Sequence, residues 1–448
     1  MTDCKRLKQE QVDFYFSSIN LGCNKNLVDT QYLLKLLSFQ KYNKFYNIQY
    51  FADALDDSVE FIFLNTCGFL STRQEAVSTL TELLEHNKKV YLIGCVPNYF
   101  KNIDKESSEA MEFMKLISHP DVFQLSWKDF DKINILQLSQ GYDSRKFDFS
   151  FPDSPRAYTN IDYKFEYIKI AECNNSCSFC IIPKIRKQKS MKVEDVLGEV
   201  KNLVDSVEEI IILAQDTTRY GIDLYEKPYL FELLERIEKI EDFVYRLLYL
   251  YPDILTLKQL ERLKFKKFLP YFDIPLQHIS APILKNMGRF YDTESIYKFL
   301  DFIYTNFPTR FIRTNLIVFP GETEYDVKQL IEFVENTDID NIAIFEYHDE
   351  KFAPSSKLAD KLSDKEVHNH FLKVKKVVDK KLEEKSSLRK KEYIGYIMDI
   401  REDDMIFVVR PTLHAPEIDE YDLLNLSQIT GVYSENGELN VEKIIYNI

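Results

Sequence analysis

The chain has 448 residues, a formal net charge of −14, 45% hydrophobic residues and no strongly biased tract. That length predicts two to four domains at roughly 150 residues each, and the acidic balance excludes a protein that coats nucleic acid while suiting a basic partner. The first residues lack a signal peptide's apolar core, no uncharged apolar run approaches membrane-spanning length, and the seven cysteines are expected as reduced, metal-binding thiols in the cytoplasm rather than as disulfides.

Residues 11–145 read as an open parallel α/β domain. The apolar runs Phe14–Leu21, Val59–Leu64 and Val90–Ile93 predict strands, and Leu27–Leu37 and Arg73–His86 predict helices after the first two. Each run ends at a cysteine: Cys23, Cys67 and Cys95. Only eleven residues are glycine, yet Gly22, Gly68 and Gly94 each adjoin one of these cysteines. Glycine lets backbone turn tightly and approach a bulky ligand. Ligands in open α/β sheets bind beyond the carboxyl ends of the strands. The three cysteines are therefore expected to converge on one sheet edge as a three-thiolate site. The competing reading is strand-end cysteines buried for packing.

Ser150–Thr159 reads as a linker. Beyond it, residues 160–390 alternate again, with strands expected at Tyr167–Ala171, Glu209–Ala214, Tyr245–Leu250, Pro270–Ile274, Arg310–Val318 and Asn341–Glu346. Helices are expected at Val193–Asp205, Tyr229–Ile240 and Thr323–Asn336. Six βα units predict an incomplete version of the closed parallel barrel, with its site at the carboxyl-terminal rim. The loop after the first of these strands reads Ala-Glu-Cys-Asn-Asn-Ser-Cys-Ser-Phe-Cys and places Cys173, Cys177 and Cys180 at C-x3-C-x2-C spacing. Zinc wants four ligands, usually two C-x2-C pairs, and the second pair is missing. An iron–sulfur cluster held by three thiolates keeps one iron open for a small molecule. Soft thiolates so spaced favour a cluster over three cysteines packed as small hydrophobes.

Polar residues follow the barrel strands: Gln215 and Asp216, Asp253, then Gln277 and His278. For Asp253 helix capping is the preferred reading, whereas for Gln215 and Gln277 a place in the site and ordinary loop solvation stand level. Arg313 lies within an apolar strand and needs a partner, either a bound carboxylate or a structural salt bridge. A long charged helix is expected from 365 to 391. Residues 391–448 then read as a small β-barrel containing a strand at Met405–Val409. Four basic residues against twelve acidic ones give this last segment a formal charge of −8.

Several words of the chain are distinctive. They are Leu-Gly-Cys-Asn-Lys-Asn-Leu-Val-Asp (21–29), Asn-Thr-Cys-Gly-Phe (65–69), Gly-Cys (94–95) and the cysteine loop running on to Ile-Ile-Pro-Lys (173–184). Further words are Ala-Gln-Asp-Thr-Thr-Arg-Tyr-Gly (214–221), Leu-Tyr-Leu-Tyr-Pro-Asp (248–253), Pro-Leu-Gln-His-Ile-Ser (275–280) and Ala-Pro-Glu-Ile-Asp (415–419). Over almost its whole length the chain resembles the methylthiotransferase family of radical S-adenosylmethionine (SAM) enzymes, on the branch that modifies a small-subunit ribosomal protein. The resemblance implies an N-terminal methylthiotransferase domain (11–145), a radical SAM barrel with exit helix (160–390) and a TRAM domain (391–448). It implies one 4Fe–4S cluster on Cys23, Cys67 and Cys95 and another on Cys173, Cys177 and Cys180. Phe179, inside the cysteine loop, joins Gln215, Gln277 and Arg313 as the candidate residues for binding SAM.

The implied chemistry is generation of a 5′-deoxyadenosyl radical at the barrel cluster and hydrogen abstraction from the β-carbon of an aspartate in the twelfth small-subunit ribosomal protein. A methylthio group then arrives from the N-terminal cluster. The implied partners are that basic protein, met through the acidic C-terminal domain, and an electron donor, with neither tRNA nor a membrane expected. Two alternatives remain: a relative that forms methylthioadenosine in tRNA, and a non-enzymatic, metal-stabilised binding protein. The chain departs from the family's words where Lys187 follows Arg186 and where the residue before Phe319 is not glycine.

Overall fold

The computed structural model describes residues 12–38, 46–50, 52–126, 137–138, 140–143, 158–160, 163–173, 175–186, 189–241, 243–359, 361–387, 392–401, 406–435 and 438–447. Cys4 and most of the expected linker lie outside the described residues.

The N-terminal domain is a five-stranded parallel sheet. Its strands are β1 (Val12–Asn20), β2 (Tyr46–Tyr50), β3 (Phe61–Thr66), β4 (Lys89–Gly94) and β5 (Val122–Gln124), in the order β2-β1-β3-β4-β5. All six residues of β3 are buried, as its unbroken apolar run requires in a strand covered on both faces. The helices Asn24–Ser38 and Leu70–Glu85 follow β1 and β3, close to the expected spans. The edge strands β2 and β5 are short and were not legible as apolar runs. The strand order reverses between β1 and β3, and a crevice opens at such a reversal beyond the carboxyl ends of the strands. Cys23 and Cys67 leave from those two strands.

The central domain is a six-stranded parallel sheet in the order β11-β10-β9-β8-β7-β6. Its strands are β6 (Phe165–Ala171), β7 (Glu209–Ala214), β8 (Val244–Leu247), β9 (Phe268–Gln277), β10 (Phe311–Val318) and β11 (Asn341–Glu346). The strands succeed one another in chain order, so the sheet winds one way like part of a barrel. Among the described residues β6 and β11 do not pair, and the expected incomplete barrel is what forms. Ile210, Ile211, Ile212 and Leu213 of β7 are fully buried, each worth about 1.5–3 kcal/mol of transfer free energy.

The helix Asp364–Ser387 leaves the barrel with Val367, Val374 and Val378 on its buried stripe. Beyond it lies an antiparallel sheet of β12 (Glu392–Arg401), β13 (Ile406–Pro411), β14 (Asp422–Asn425), β15 (Ile429–Glu435) and β16 (Glu438–Asn447), in the order β14-β13-β12-β16-β15. This sheet is clamped to the amino-terminal end of the barrel. Glu209, at the start of β7, is fully buried between Arg246 of β8 and Arg410 of β13. Arg246 also donates to the carbonyls of Thr412 and Leu413. No helix among the described residues is long and apolar enough to cross a membrane.

Candidate active site

Cys23, Cys67 and Cys95 do meet at one edge of the N-terminal sheet. The register pairs Asn20 with Asn65 and Thr66 with Gly94, so the chain leaves all three strands at the same level. The amide of Cys95 donates to the Thr66 carbonyl at 2.8 Å. The Asn65 side chain donates to the Asn26 carbonyl (2.7 Å), and Asn26 in turn caps the carbonyls of Leu21 and Thr66 (both 3.2 Å), which holds the Cys23 loop against β3. Gly22 and Gly94 both have positive φ, and a Cβ on Gly22 would stand 2.9 Å from the Cys67 Cβ. On Gly94 it would stand 2.2 Å from the Thr66 carbonyl oxygen. The glycine–cysteine adjacency is thus a close-approach requirement.

The thiols sit in unlike fields. Burial pushes the Cys95 thiol up to about 11, against the pull of the Arg186 guanidinium. Burial would also raise Cys23, but the Lys25 ammonium, the backbone amides of Lys25 and Asn26 and the Arg186 charge together bring it below its ordinary value.

Cys173, Cys177 and Cys180 occupy the loop after β6, with Cys173 and Cys177 buried. The loop is pinned by Ser178, whose amide donates to the Met287 carbonyl and whose carbonyl accepts from the Ser355 amide (both 2.9 Å). Asn175 donates from its side chain to buried Asp216 at 2.7 Å. Burial pushes both Cys173 and Cys180 up to about 12, and the neighbouring thiols add to it. Each would therefore give up its proton to a metal rather than ionise unaided.

Of the rim residues, Gln277 ends β9 buried and at positive φ, and Gln215 is half-buried directly after β7. Asp253 pairs with Arg219, and His278 lies 3.2 Å from Glu322, both fully buried. Arg313 forms an ion pair with Asp273 at 2.9 Å, while its Nε has no hydrogen-bond partner among the described residues. Phe179 is half-buried, 5.7 Å from ring centroid to the Arg289 guanidinium.

Three features were not anticipated. Arg289 is buried, lies 4.0 Å over the Tyr251 ring, and none of its guanidinium nitrogens meets a hydrogen-bond acceptor among the described residues. The Tyr251 hydroxyl is 3.5 Å from the Cys177 sulfur. Nothing in the sequence marked Arg289. Lys25, by contrast, lay within the Leu-Gly-Cys-Asn-Lys word; it crosses from the N-terminal domain to rest 3.6 Å over the Tyr249 ring at the barrel rim. Burial would lower Lys25, but Cys23, Tyr249 and Asp273 around it outweigh burial and hold it charged.

The third is a buried quartet between the two cysteine groups. Lys169 of β6 contacts Asp29 (2.7 Å) and Glu172 (2.6 Å), and Arg186 contacts the same two carboxylates (3.0 and 2.8 Å). Lys169 stands in the apolar run Tyr-Ile-Lys-Ile-Ala, so the reasoning that singled out Arg313 applied equally here.

No three His, Cys, Asp or Glu side chains among the described residues stand close enough to share a single metal ion. Thiolates that bind different irons of one cluster stand farther apart than ligands of one ion. The residues present fit such a group: soft donors in threes, glycine beds beneath the N-terminal set, and the unfilled Arg289 donors beside the barrel set.

Comparison with known proteins matches residues 167–334 to the Radical SAM superfamily and residues 15–114 to the Uncharacterized protein family UPF0004. The chain is 38% identical to the ribosomal protein uS12 methylthiotransferase RimO of Alkaliphilus oremlandii over 77% of each chain. It is 35% identical to that of Clostridioides difficile (89% of this chain, 90% of the relative) and 36% identical to that of Dictyoglomus thermophilum (90% of each). Among solved structures, the apo form of the cobalamin-dependent S-adenosylmethionine radical enzyme OxsB superposes with a TM-score of 0.50 at 13% identity. That match covers 83% of this chain and 56% of the other, and speaks to the fold alone.

Proposed function

Because the chain belongs to the RimO family of radical SAM methylthiotransferases, we propose that it transfers a methylthio group to ribosomal protein uS12, at the β-carbon of an aspartate. The observation that carries this reading is the pair of three-cysteine groups at the carboxyl ends of two parallel sheets, joined by one buried charge network. When bound, two 4Fe–4S clusters and SAM supply the one-electron activation of a carbon–hydrogen bond and the sulfur and methyl to be transferred. Cys173, Cys177 and Cys180 would hold one cluster, and Cys23, Cys67 and Cys95 the other.

The protein's own part is positioning and exclusion of water. Gln215 and Gln277 offer uncharged hydrogen-bonding groups at the rim, and Arg313 offers its unfilled Nε to a carboxylate. Arg289, buried beside Cys177, supplies fixed positive charge where a loaded thiolate site is negative. Lys25 over Tyr249 and the ion pair of Arg73 with Glu350 (2.8 Å) hold the N-terminal domain over the barrel mouth. A transferable group on one domain then faces the reacting carbon on the other, and orientation of this kind lowers a barrier by removing lost freedom in advance.

The partner surface is the acidic C-terminal sheet. Of its four basic residues, Arg410 is consumed by Glu209 and Lys443 lies 3.7 Å from Glu208, so two cations face the barrel. The segment's formal charge of −8 suits a basic ribosomal protein over a polyanion. Mass spectrometry of ribosomes and tRNA from a strain lacking the gene tests the proposal. A methylthio group should disappear from uS12. Unchanged uS12 with loss of methylthioadenosine from tRNA would move the chain to the tRNA-modifying branch.

A further inference from the structure

Arg186 reaches further than the other members of the buried quartet. Its Nη1 serves Asp29 and Glu172, while its Nε donates to the Cys95 sulfur at 3.0 Å. Its side chain is about 1% exposed. Asp29 lies on the helix that begins directly after Cys23, and Glu172 immediately precedes Cys173. One guanidinium therefore touches a sulfur of the N-terminal group and the carboxylates that flank one cysteine of each group. Lys169 balances the second carboxylate, so the quartet is formally neutral and Arg186 brings a directed N–H to the sulfur without a surplus buried charge.

We propose that Arg186 is a positioning residue for the N-terminal cluster, donating a hydrogen bond to the Cys95 thiolate that raises the cluster's reduction potential and fixes its placement relative to the barrel cysteines. The inference rests on the assignment of Cys23, Cys67 and Cys95 to a cluster. Hydrogen bonds to ligand sulfurs and local charge are among the levers that set such potentials. A donor aimed at sulfur stabilises the more negative, reduced form, so its loss should move the potential down.

The test uses the full chain carrying Cys173→Ala, Cys177→Ala and Cys180→Ala, reconstituted anaerobically, so that only the N-terminal cluster reports. Redox titration followed by electron paramagnetic resonance is then compared with Arg186 intact and with Arg186→Met or Arg186→Lys. The expected result is a negative shift in Arg186→Met, smaller in Arg186→Lys, which restores the charge but not the planar fork. The double variant Arg186→Gln/Glu172→Gln removes a cation and an anion together, guards against misfolding from a stranded charge, and should show the negative shift as well. Glu172→Gln alone leaves the Arg186 donor in place and should not shift the potential negatively. Unchanged potentials in a cluster-loaded Arg186→Met and in the double variant would overturn the proposal, as would a negative shift in Glu172→Gln of the same size. If the triple-alanine chain with Arg186 intact takes up no iron, it is the N-terminal cluster assignment that has failed.

Discussion

The side-chain amide of Asn24 donates to the hydroxyl of Tyr167 at 2.6 Å. The same hydroxyl faces the Pro416 carbonyl at 2.9 Å and a Glu417 carboxylate oxygen at 3.0 Å. Asn24 follows Cys23 in the N-terminal domain, Tyr167 belongs to barrel strand β6, and Pro416 and Glu417 belong to the C-terminal segment. Three domains thus meet at one oxygen. Tyr167→Phe keeps the ring and removes that meeting point, stranding partners on both sides. It should cost about 1–3 kcal/mol in urea unfolding and should speed proteolytic release of the C-terminal sheet. Unfolding and proteolysis indistinguishable from the parent would mean that the domains are held by their other contacts.

The two cysteine groups should separate chemically. Cys67→Ala should lower anaerobic iron content by about one cluster, keep reductive cleavage of SAM to 5′-deoxyadenosine, and abolish methylthio transfer. Removing Cys173, Cys177 and Cys180 should lower iron similarly and abolish both activities. Full transfer by Cys67→Ala would remove the N-terminal group from the reaction.

Arg313 serves Asp273 through Nη1 and keeps Nε unfilled. Lysine preserves the charge opposite Asp273 but lacks the fork that would also grip a carboxylate. Arg313→Lys is therefore expected to retain thermal stability and to weaken SAM binding roughly tenfold, about 1.4 kcal/mol. Calorimetric titration of SAM into the reconstituted protein reads this out. An unaltered SAM affinity would leave Arg313 as a structural ion-pair partner only.

Glu209 supplies the pH dependence. Burial alone would raise its carboxyl, but Arg246 and Arg410 on either side outweigh burial and hold it below the ordinary value of 4.5. A folded value below the unfolded one means that the unfolded chain binds the proton more readily, so stability increases with pH through this window. The contribution is complete above pH 4.5 and is lost as pH falls through the folded value. Glu209→Gln should lose about 3–5 kcal/mol at neutral pH, because two buried guanidinium groups are left facing a neutral amide. Its unfolding free energy should also fall less steeply than the parent's below pH 4.5. Parallel pH profiles for the two proteins would contradict this.

Charge reversal on the C-terminal sheet tests the partner surface. Asp399 and Glu420 are exposed. The double variant Asp399→Lys/Glu420→Lys should associate more slowly with uS12 at low salt, and the difference should shrink as salt is raised. Equal association rates at low salt would place recognition elsewhere on the chain.

Sequence alone determined the parts that are local or periodic. The C-x3-C-x2-C loop sets three cysteines within eight residues, so the expectation of a cluster there needed no tertiary information. Apolar runs such as Glu209–Ala214 specified the buried parallel strands, because a strand covered on both faces must be apolar throughout. The helices after the Cys23 and Cys67 loops were legible as well, while the short helix Val96–Asn102 after Cys95 and the short edge strands β2 and β5 left no such trace. The convergence of Cys23, Cys67 and Cys95 followed from strand ends and neighbouring glycines, and the sheet register bears it out.

Tertiary structure decided what joins the domains. Lys169 meets Asp29 across 140 positions, Arg186 meets Asp29 across 157, and Arg410 meets Glu209 across 201. A single buried charge announces in the sequence that it needs a partner, since leaving it unpaired costs several kcal/mol. It does not announce which partner, because nothing periodic links residues so far apart along the chain. Only folding brings the Arg186 guanidinium to the Cys95 sulfur and Lys25 over the Tyr249 ring.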